Sequence, residues 1–137
     1  WKKVRATLVA SGFEAVAGRK HDTYLGLLEV GTVKVRVELS IPDYQFNTLP
    51  SVHVRNRAGL PKKLAAHMMS DDSLCYADKT TFLLDMFAPD ASIMRVLEQA
   101  RATLGTLLHG NATPEFMAEF AAYWSTLGYC LIDDLPN

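Results

Sequence analysis

Nine consecutive residues, from Val33 to Ile41, alternate between apolar and polar side chains. Because successive side chains of a β-strand point to opposite faces, this alternation predicts a strand with one face in the core and the other in water. The preceding residues 23–30 are rich in leucine, and Gly31 and Thr32 between the two segments suit a tight two-residue turn. The sequence therefore predicts an antiparallel β-hairpin.

Further along the chain, the signals for regular structure become shorter. Pro42 and Pro50 bracket a segment with two aromatic residues, which prolines keep out of a regular ladder. Residues 52–55 predict a third strand, in which His53 alternates with valines and so falls on the polar face, a position that gives little reason to expect a functional role. Residues 56–80 follow as a long connection without clear periodicity, and loops of that length are usually functional or mobile.

Apolar residues spaced three and four apart predict helices at both ends of the chain. A short amphipathic helix is predicted over residues 2–11, before Gly12 stops it, and a long core helix from Asp90, as its N-cap, to the region of His109. A last helix opens at Thr113, where a cap residue precedes a proline and an acid. Its aromatic stripe, which we interpret as core, consists of Phe116, Phe120, Tyr123 and Trp124.

Helices around an antiparallel meander indicate an α+β domain. A chain of 137 residues can bury a sizeable core but leaves little room for a second domain, so we expect a single domain over residues 1–137. The sequence begins with Trp1 and not with methionine, which is compatible with a segment of a longer protein.

The charge balance narrows the range of partners. Lys and Arg number 14 against 15 Asp and Glu, and the net charge of -1 gives no electrostatic reason to expect nucleic acid or an anionic membrane as a partner. No apolar run is long enough to span a bilayer, and the first residues lack a signal-peptide core. Two cysteines are too few for a secreted disulfide scaffold, so we expect reduced thiols and a cytoplasmic location.

The segment from His67 to Tyr76 is the main candidate for chemistry. Its histidine precedes Cys75 by eight residues, and the polar residues 70–73 between them predict a turn that folds the segment back. Only the thiolate of cysteine is nucleophilic, so a reactive thiol needs partial exposure and a polar or cationic neighbour such as this histidine. The apolar neighbours of Cys75 favour the opposite interpretation, a buried structural thiol. The second cysteine, Cys130, lies in an apolar triplet and is interpreted as packing.

Three short motifs, at residues 44–50, 74–76 and 86–93, together with the order of elements, resemble those of the ubiquitin-conjugating enzymes. That family has Tyr-Pro-Phe-x-x-Pro before its third strand, and residues 44–50 are similar, with Gln45 in place of the first proline and one residue more. Its catalytic Ile-Cys-Leu resembles residues 74–76, and its Trp-Ser-Pro-Ala-Leu-Thr-Ile at the start of the long helix resembles residues 86–93. The resemblance covers roughly residues 4–124.

Two departures from the eukaryotic pattern resemble the bacterial branch of the family. The His-Pro-Asn motif is absent, and His67 stands where its asparagine would be, after Ala65 and Ala66. The interval from the cysteine to the proline of the helix start is also several residues longer. In that branch such domains occur alone or fused to a ubiquitin-activating-like domain in antiphage operons of the CBASS type. The protein conjugated there is a cyclic-nucleotide synthase of the cGAS-like class.

The resemblance implies a cysteine-dependent transferase that works through a thioester. Cys75 would accept the C-terminus of a ubiquitin-like protein or a cGAS-like nucleotidyltransferase from an activating protein or domain, and would pass it to an amine. His67 could donate a hydrogen bond to the oxyanion, act as a base, or shape the loop, and the residues leave these alternatives open. No cofactor or metal is expected, because Cys75 and His67 lack the further ligands of a closed site.

A non-catalytic interaction module of the same fold is the alternative, since fold alone does not separate the two functions. The Leu-Cys pair after a polar turn, followed by the helix start at Pro89, favours the enzyme. An unrelated cysteine hydrolase is a weaker possibility, because the four histidines are scattered and none is singled out as a partner for the thiol.

Overall fold

The computed structural model describes residues 1–56, 67–69, 71–77 and 81–109. In chain order, the helices and strands of this part are α1 (Lys2–Ala10), β1 (Glu14–Val16), β2 (Asp22–Val30), β3 (Val33–Ile41), β4 (Ser51–Val54) and α2 (Pro89–Leu108). The strands form one sheet in the order β1-β2-β3-β4, and every neighbouring pair is antiparallel. The predicted α+β class, with an antiparallel meander, an N-terminal helix and a long helix after the cysteine, is confirmed.

The hairpin predicted from the alternating residues is confirmed, including the length of its turn. Val30 pairs with Val33, so only Gly31 and Thr32 lie between the strands. Gly31 has a φ of 59°, a left-handed backbone that glycine adopts without steric cost. The odd-numbered residues of β3 after Val33 are buried, as the alternation requires, whereas Glu38 is buried although it belongs to the opposite face.

The sheet has one strand more than the sequence predicts. β1 is three residues long and none of its side chains is fully buried, so it carries no alternation from which a strand could be predicted. It pairs with residues 23–25 of β2. Gly12 and Gly18, with φ angles of 82° and 76°, turn the chain on either side of it. A short edge strand of this kind offers few unpaired backbone groups to other chains.

Helix α1 ends in a Schellman motif close to the predicted position. The amide of Gly12 donates to the carbonyl of Val9 at 3.0 Å, and the amide of Phe13 donates to the carbonyl of Leu8 at 2.9 Å. These bonds satisfy carbonyl groups that a helix end otherwise leaves without an intrahelical partner. Leu8 and Phe13 are both buried, so the motif also attaches the end of the helix to the core.

Helix α2 begins earlier than predicted. The prediction of Asp90 as N-cap is wrong, because Ala88 occupies that position and Pro89 is the first helical residue. Proline suits the first position since its fixed φ is helical and its missing N–H has no partner to lose there. Asp90 instead lies in the first turn, where its carboxylate favours the positive end of the helix dipole and pairs with Lys3 of α1 at 3.0 Å. The helix predicted from Thr113 lies outside the described residues.

The core lies on one face of the sheet, beneath the two helices. Helix α2 packs along β2 and against α1, and the three-to-four spacing of its apolar residues turns one side of the helix toward the strands. The most deeply buried large side chains are Val4, Leu8, Leu28, Val35, Val37, Leu39, Ile41, Val52, Val54, Ile93, Val96 and Leu104. They come from α1, α2 and three of the strands, so this one core holds β4 in place next to the cysteine segment.

Gly26 of β2 lies under the ring of Phe13, and a Cβ added at this glycine would come within 2.5 Å of ring atoms. We expect Gly26→Ala to lower the free energy of unfolding by about 1–3 kcal/mol, because a buried ring cannot move aside without disturbing the core. Urea unfolding measures this loss. The matched control adds Phe13→Leu: the double variant should lose less than the sum of the two single changes. Additive losses would contradict this packing.

Candidate active site

The sheet continues beyond β4 into the segment that carries the cysteine. The amide of Leu74 donates to the carbonyl of Val52 at 2.8 Å, and the amide of Val54 donates to the carbonyl of Asp72 at 2.9 Å. This is the hydrogen-bonding pattern of an antiparallel ladder. The residues immediately before Cys75 are therefore docked on the edge of the sheet by their backbone.

Residues 67–69 pair with the segment that leads to Cys75, and together they form a small hairpin. The amide of Met69 donates to the carbonyl of Ser73 at 2.9 Å, and a further backbone bond joins the other ends of the arms. We call residues 67–69 together with residues 71–75 the Cys75 hairpin. The prediction that the segment folds back on itself before the cysteine is confirmed for these residues.

Asp71 organises the tip of the Cys75 hairpin. Its carboxylate accepts hydrogen bonds from the amide of Ser73 at 3.0 Å and from the Ser73 hydroxyl at 2.6 Å. These hydrogen bonds are the main reason that the pKa of the Asp71 carboxyl lies below its ordinary value. Asp72 next to it has a φ of 68°, a conformation that aspartate tolerates better than most residues. The polar turn seen in the sequence thus holds its own backbone in shape.

The alternation of side chains along residues 74–76 decides where the side chain of Cys75 points. Leu74 and Tyr76 are each only 6% exposed and belong to the core, whereas Cys75 between them is exposed. Because side chains alternate along an extended chain, two buried neighbours turn the residue between them outward. Of the two interpretations of the thiol that the sequence left open, exposure is therefore correct, and the apolar neighbours are its cause.

Tyr76 ties the cysteine to two other parts of the fold. Its hydroxyl donates to the carbonyl of Pro50 at 2.6 Å, and burial raises the pKa of this hydroxyl above its ordinary value. Its ring meets the ring of Phe82 edge to face, with centroids 5.8 Å apart. The guanidinium of Arg95 on α2 lies 4.9 Å from the centroid of Phe82. The residue after Cys75 is thus fixed both to the segment before β4 and to the long helix.

The two predicted site residues are joined through the backbone. The amide of Cys75 donates to the carbonyl of His67 at 2.7 Å, across the hairpin. His67 is half-buried and has a φ of 62°, so its backbone is held in a left-handed conformation that is costly for most side chains. The structure thus places the backbone of His67 beside that of Cys75, and the roles of both side chains remain predictions.

A cluster on the outer face of the sheet was missed by the sequence analysis. The buried carboxylate of Glu38 accepts hydrogen bonds from Arg55 at 2.7 and 3.3 Å and from Arg19 at 3.4 Å. The Arg55 bonds are the main cause that lowers the pKa of Glu38. His53 lies opposite Glu38, with Nε2 3.8 Å from the carboxylate of Asp71. Apart from His53 and Arg55, which are two positions apart, these residues are distant in sequence, and only the fold brings them together.

Three side chains just before α2 are exposed although they are apolar. Leu83 is 75% exposed, Met86 48% and Phe87 87%.

The described ranges hold no three His, Cys, Asp or Glu side chains placed to bind a metal ion. They also hold no helix whose length and apolar content would let it cross a membrane.

The fold and the outward-facing cysteine after the meander define a class, the ubiquitin-conjugating-like α+β domains. Within this class, the family model of Prokaryotic E2 family B matches residues 1–128, and the chain belongs to that family. The resemblance inferred from the sequence motifs is confirmed at this level.

A curated relative supports the same assignment. The chain is 30% identical over 94 residues to the ATP-dependent ubiquitin transferase-like protein Cap2 of Pseudomonas aeruginosa (strain BWHPSA011 / Pa011). The match covers 66% of this chain and 17% of the relative, so it spans only a small part of that protein's length. No solved structure matches the chain.

We expect iodoacetamide to alkylate Cys75 faster than Cys130 in the native protein. The thiol of Cys75 is exposed, and alkylation requires access as well as thiolate. Peptide mapping by mass spectrometry after short exposures measures the two rates, and the same experiment in denaturant shows the rates without the fold. Faster native labelling at Cys130 would contradict the proposed site.

Proposed function

We propose that this chain is a cysteine-dependent, ubiquitin-conjugating-like transferase in which Cys75 carries the C-terminus of another protein as a thioester. The observation that carries the proposal is the exposed position of Cys75 on a hairpin docked to the sheet edge, in a member of Prokaryotic E2 family B. A nucleophile for a protein terminus must be reachable by a large partner and still be held rigidly, and this position meets both needs.

Two acyl transfers account for the reaction. The thiolate of Cys75 attacks the carbonyl carbon of an acyl adenylate or of an activating-enzyme thioester, forming a C–S bond as AMP or the other thiolate leaves. An amine then attacks the same carbon, forming a C–N bond as the Cys75 thiolate leaves, and the amine loses its proton to a base or to water. The cysteine is regenerated, so one difficult acylation is divided into two easier ones.

Each transfer passes through a tetrahedral intermediate with a negatively charged oxygen that needs a hydrogen-bond donor. The amide of Cys75 already donates to the carbonyl of His67, so the donor must come from another group. The imidazole of His67 is our candidate, because its backbone lies directly across the hairpin from the cysteine and a ring N–H is a donor in either protonation state. Its alternatives are the base of the second step and a purely loop-shaping role.

The partners follow from the same assignment. We propose a ubiquitin-activating-like protein or domain as the acyl donor, and a ubiquitin-like protein or a cGAS-like nucleotidyltransferase as the conjugated protein. The relative Cap2 is an ATP-dependent ubiquitin transferase-like protein, which supports an activation step that consumes ATP. The exposed side chains of Leu83, Met86 and Phe87 support a protein as partner. We place the reaction in bacterial antiphage defence of the CBASS type and in the cytoplasm, with residues 1–137 as one domain.

Cys75→Ala should abolish the conjugate, because it removes the only atom that carries the acyl group. The wild type should form a band that disappears on treatment with a thiol reductant, seen on a non-reducing gel after incubation with activating protein, ATP and carrier. Cys130→Ala is the matched control and should keep this band. A wild type that forms no such band would instead favour a non-catalytic interaction module of the same fold, and a Cys75→Ala variant that keeps the band would place the acyl group on another residue.

Three substitutions separate the roles of His67. Glycine keeps the left-handed backbone and removes the side chain, whereas asparagine tolerates that backbone and restores a donor. If the imidazole donates to the oxyanion, His67→Gly should slow transfer by about a hundredfold, and His67→Asn should recover most of the rate. If it acts as a base, both variants should be slow, because neither glycine nor asparagine accepts a proton from the attacking amine.

The third substitution, His67→Ala, tests the backbone alone. Alanine lacks both the donor and the tolerance for a left-handed φ, so it should cost about 1 kcal/mol of stability, measured by thermal unfolding, beyond the effect of glycine. Wild-type turnover per folded molecule in the glycine variant would refute a chemical role for His67.

A further inference from the structure

A row of polar side chains crosses the outer face of the sheet and ends beside the candidate nucleophile. The strand register places Glu38 opposite His53, and His53 opposite Ser73 of the Cys75 hairpin. Because residues that lie directly opposite share a face, their side chains are neighbours. Ser73 is two residues from Cys75, so the row connects the middle of the sheet to the thiol.

Both ends of this row are fixed by other residues. Glu38 is held by Arg55 and Arg19, and its side chain is only 10% exposed. Ser73 is held by the carboxylate of Asp71 through its amide and its hydroxyl. The middle of the row, His53, is therefore the residue that joins two otherwise separate polar groups.

The surroundings of His53 differ from those of a surface histidine. Its side chain is 22% exposed, and its Nε2 lies 3.8 Å from a carboxylate oxygen of Asp71, an ion-pair distance that is too long for a hydrogen bond. Its Nδ1 is buried and makes no hydrogen bond to any group in the described ranges. A buried polar atom without a partner costs stability, which a valine at this position of the strand would avoid.

The pairing between His53 and Ser73 is of the kind in which side chains approach most closely. The two backbone bonds from Leu74 to Val52 and from Val54 to Asp72 flank this pair, so it is a non-hydrogen-bonded pair of the antiparallel ladder. Two bonds alone define the register weakly. A shift of the hairpin by one residue would exchange its two faces and turn the cysteine inward.

We propose that His53 is a positioning residue, which fixes the register of the Cys75 hairpin on β4 through Asp71 and Ser73 and so keeps the thiol facing outward. Its consequence for transfer rests on the proposed function. The geometry itself does not, because the position of the hairpin can be measured without any reaction partner.

Hydrogen exchange measured by NMR tests this role in the purified protein. His53→Leu removes the polar contact and fills similar space, whereas His53→Gln offers an amide N–H near the place of Nε2. Lys34→Gln is the matched control, because it breaks an ion pair with Glu29 on the outer face at the far end of β3. The reporter amides are those of Leu74 and Val54, which join β4 to the hairpin.

We expect His53→Leu to speed exchange at the two reporter amides on the order of tenfold, while amides in the middle of β2 and β3 stay as in the wild type. His53→Gln should restore slow exchange, and Lys34→Gln should not change it. Equal acceleration of all amides, no acceleration at the reporters, or a glutamine variant that behaves like the leucine variant would each overturn the proposal. Failure of the wild type to form a thioester would overturn the proposed function alone.

Discussion

The backbone pairing between β4 and the Cys75 hairpin is the interaction on which the rest of the site depends. Two backbone hydrogen bonds, at 2.8 and 2.9 Å, join the two segments in one register. That register places Leu74 and Tyr76 in the core and Cys75 between them in solvent. The exposure of the thiol is therefore a consequence of strand pleating and of burial on either side, and it requires no dedicated pocket.

The hairpin is held from both faces of the sheet. On the core face, Tyr76 bonds to the carbonyl of Pro50 and packs against Phe82, which ties the cysteine to the segment before β4 and to α2. On the outer face, His53 lies opposite Glu38 with its Nε2 3.8 Å from the Asp71 carboxylate, and we propose that it positions the hairpin there. A rigid scaffold below an open surface suits the proposed nucleophile, because its acyl donor must be delivered by a large protein partner.

Local patterns in the sequence predict the elements that depend on local physics. The alternation in β3 and the glycine turn before it are sufficient to predict the hairpin. β1 is too short and too exposed to show an alternation from which a strand could be predicted. The site was harder to predict than the fold, as the cysteine shows. Apolar neighbours favour burial of a thiol as long as the conformation of the segment is unknown. Once the segment is known to be extended, buried neighbours on both sides imply that the thiol is exposed. That knowledge, like the approach of His53 to Asp71, depends on pairing between residues distant in the chain, which no local pattern reveals.

The central claim is that Cys75 carries an acyl group, and intact mass spectrometry of Cys75→Ser tests it most directly. Serine keeps a nucleophilic oxygen but forms an ester, which reacts with amines and thiols more slowly than a thioester does, so the intermediate accumulates. After incubation with activating protein, ATP and carrier, we expect the mass of this variant to increase by that of the carrier less one water, with the adduct mapped to residue 75. An adduct mapped to another residue, or no adduct while wild-type protein still forms conjugates, would contradict the account.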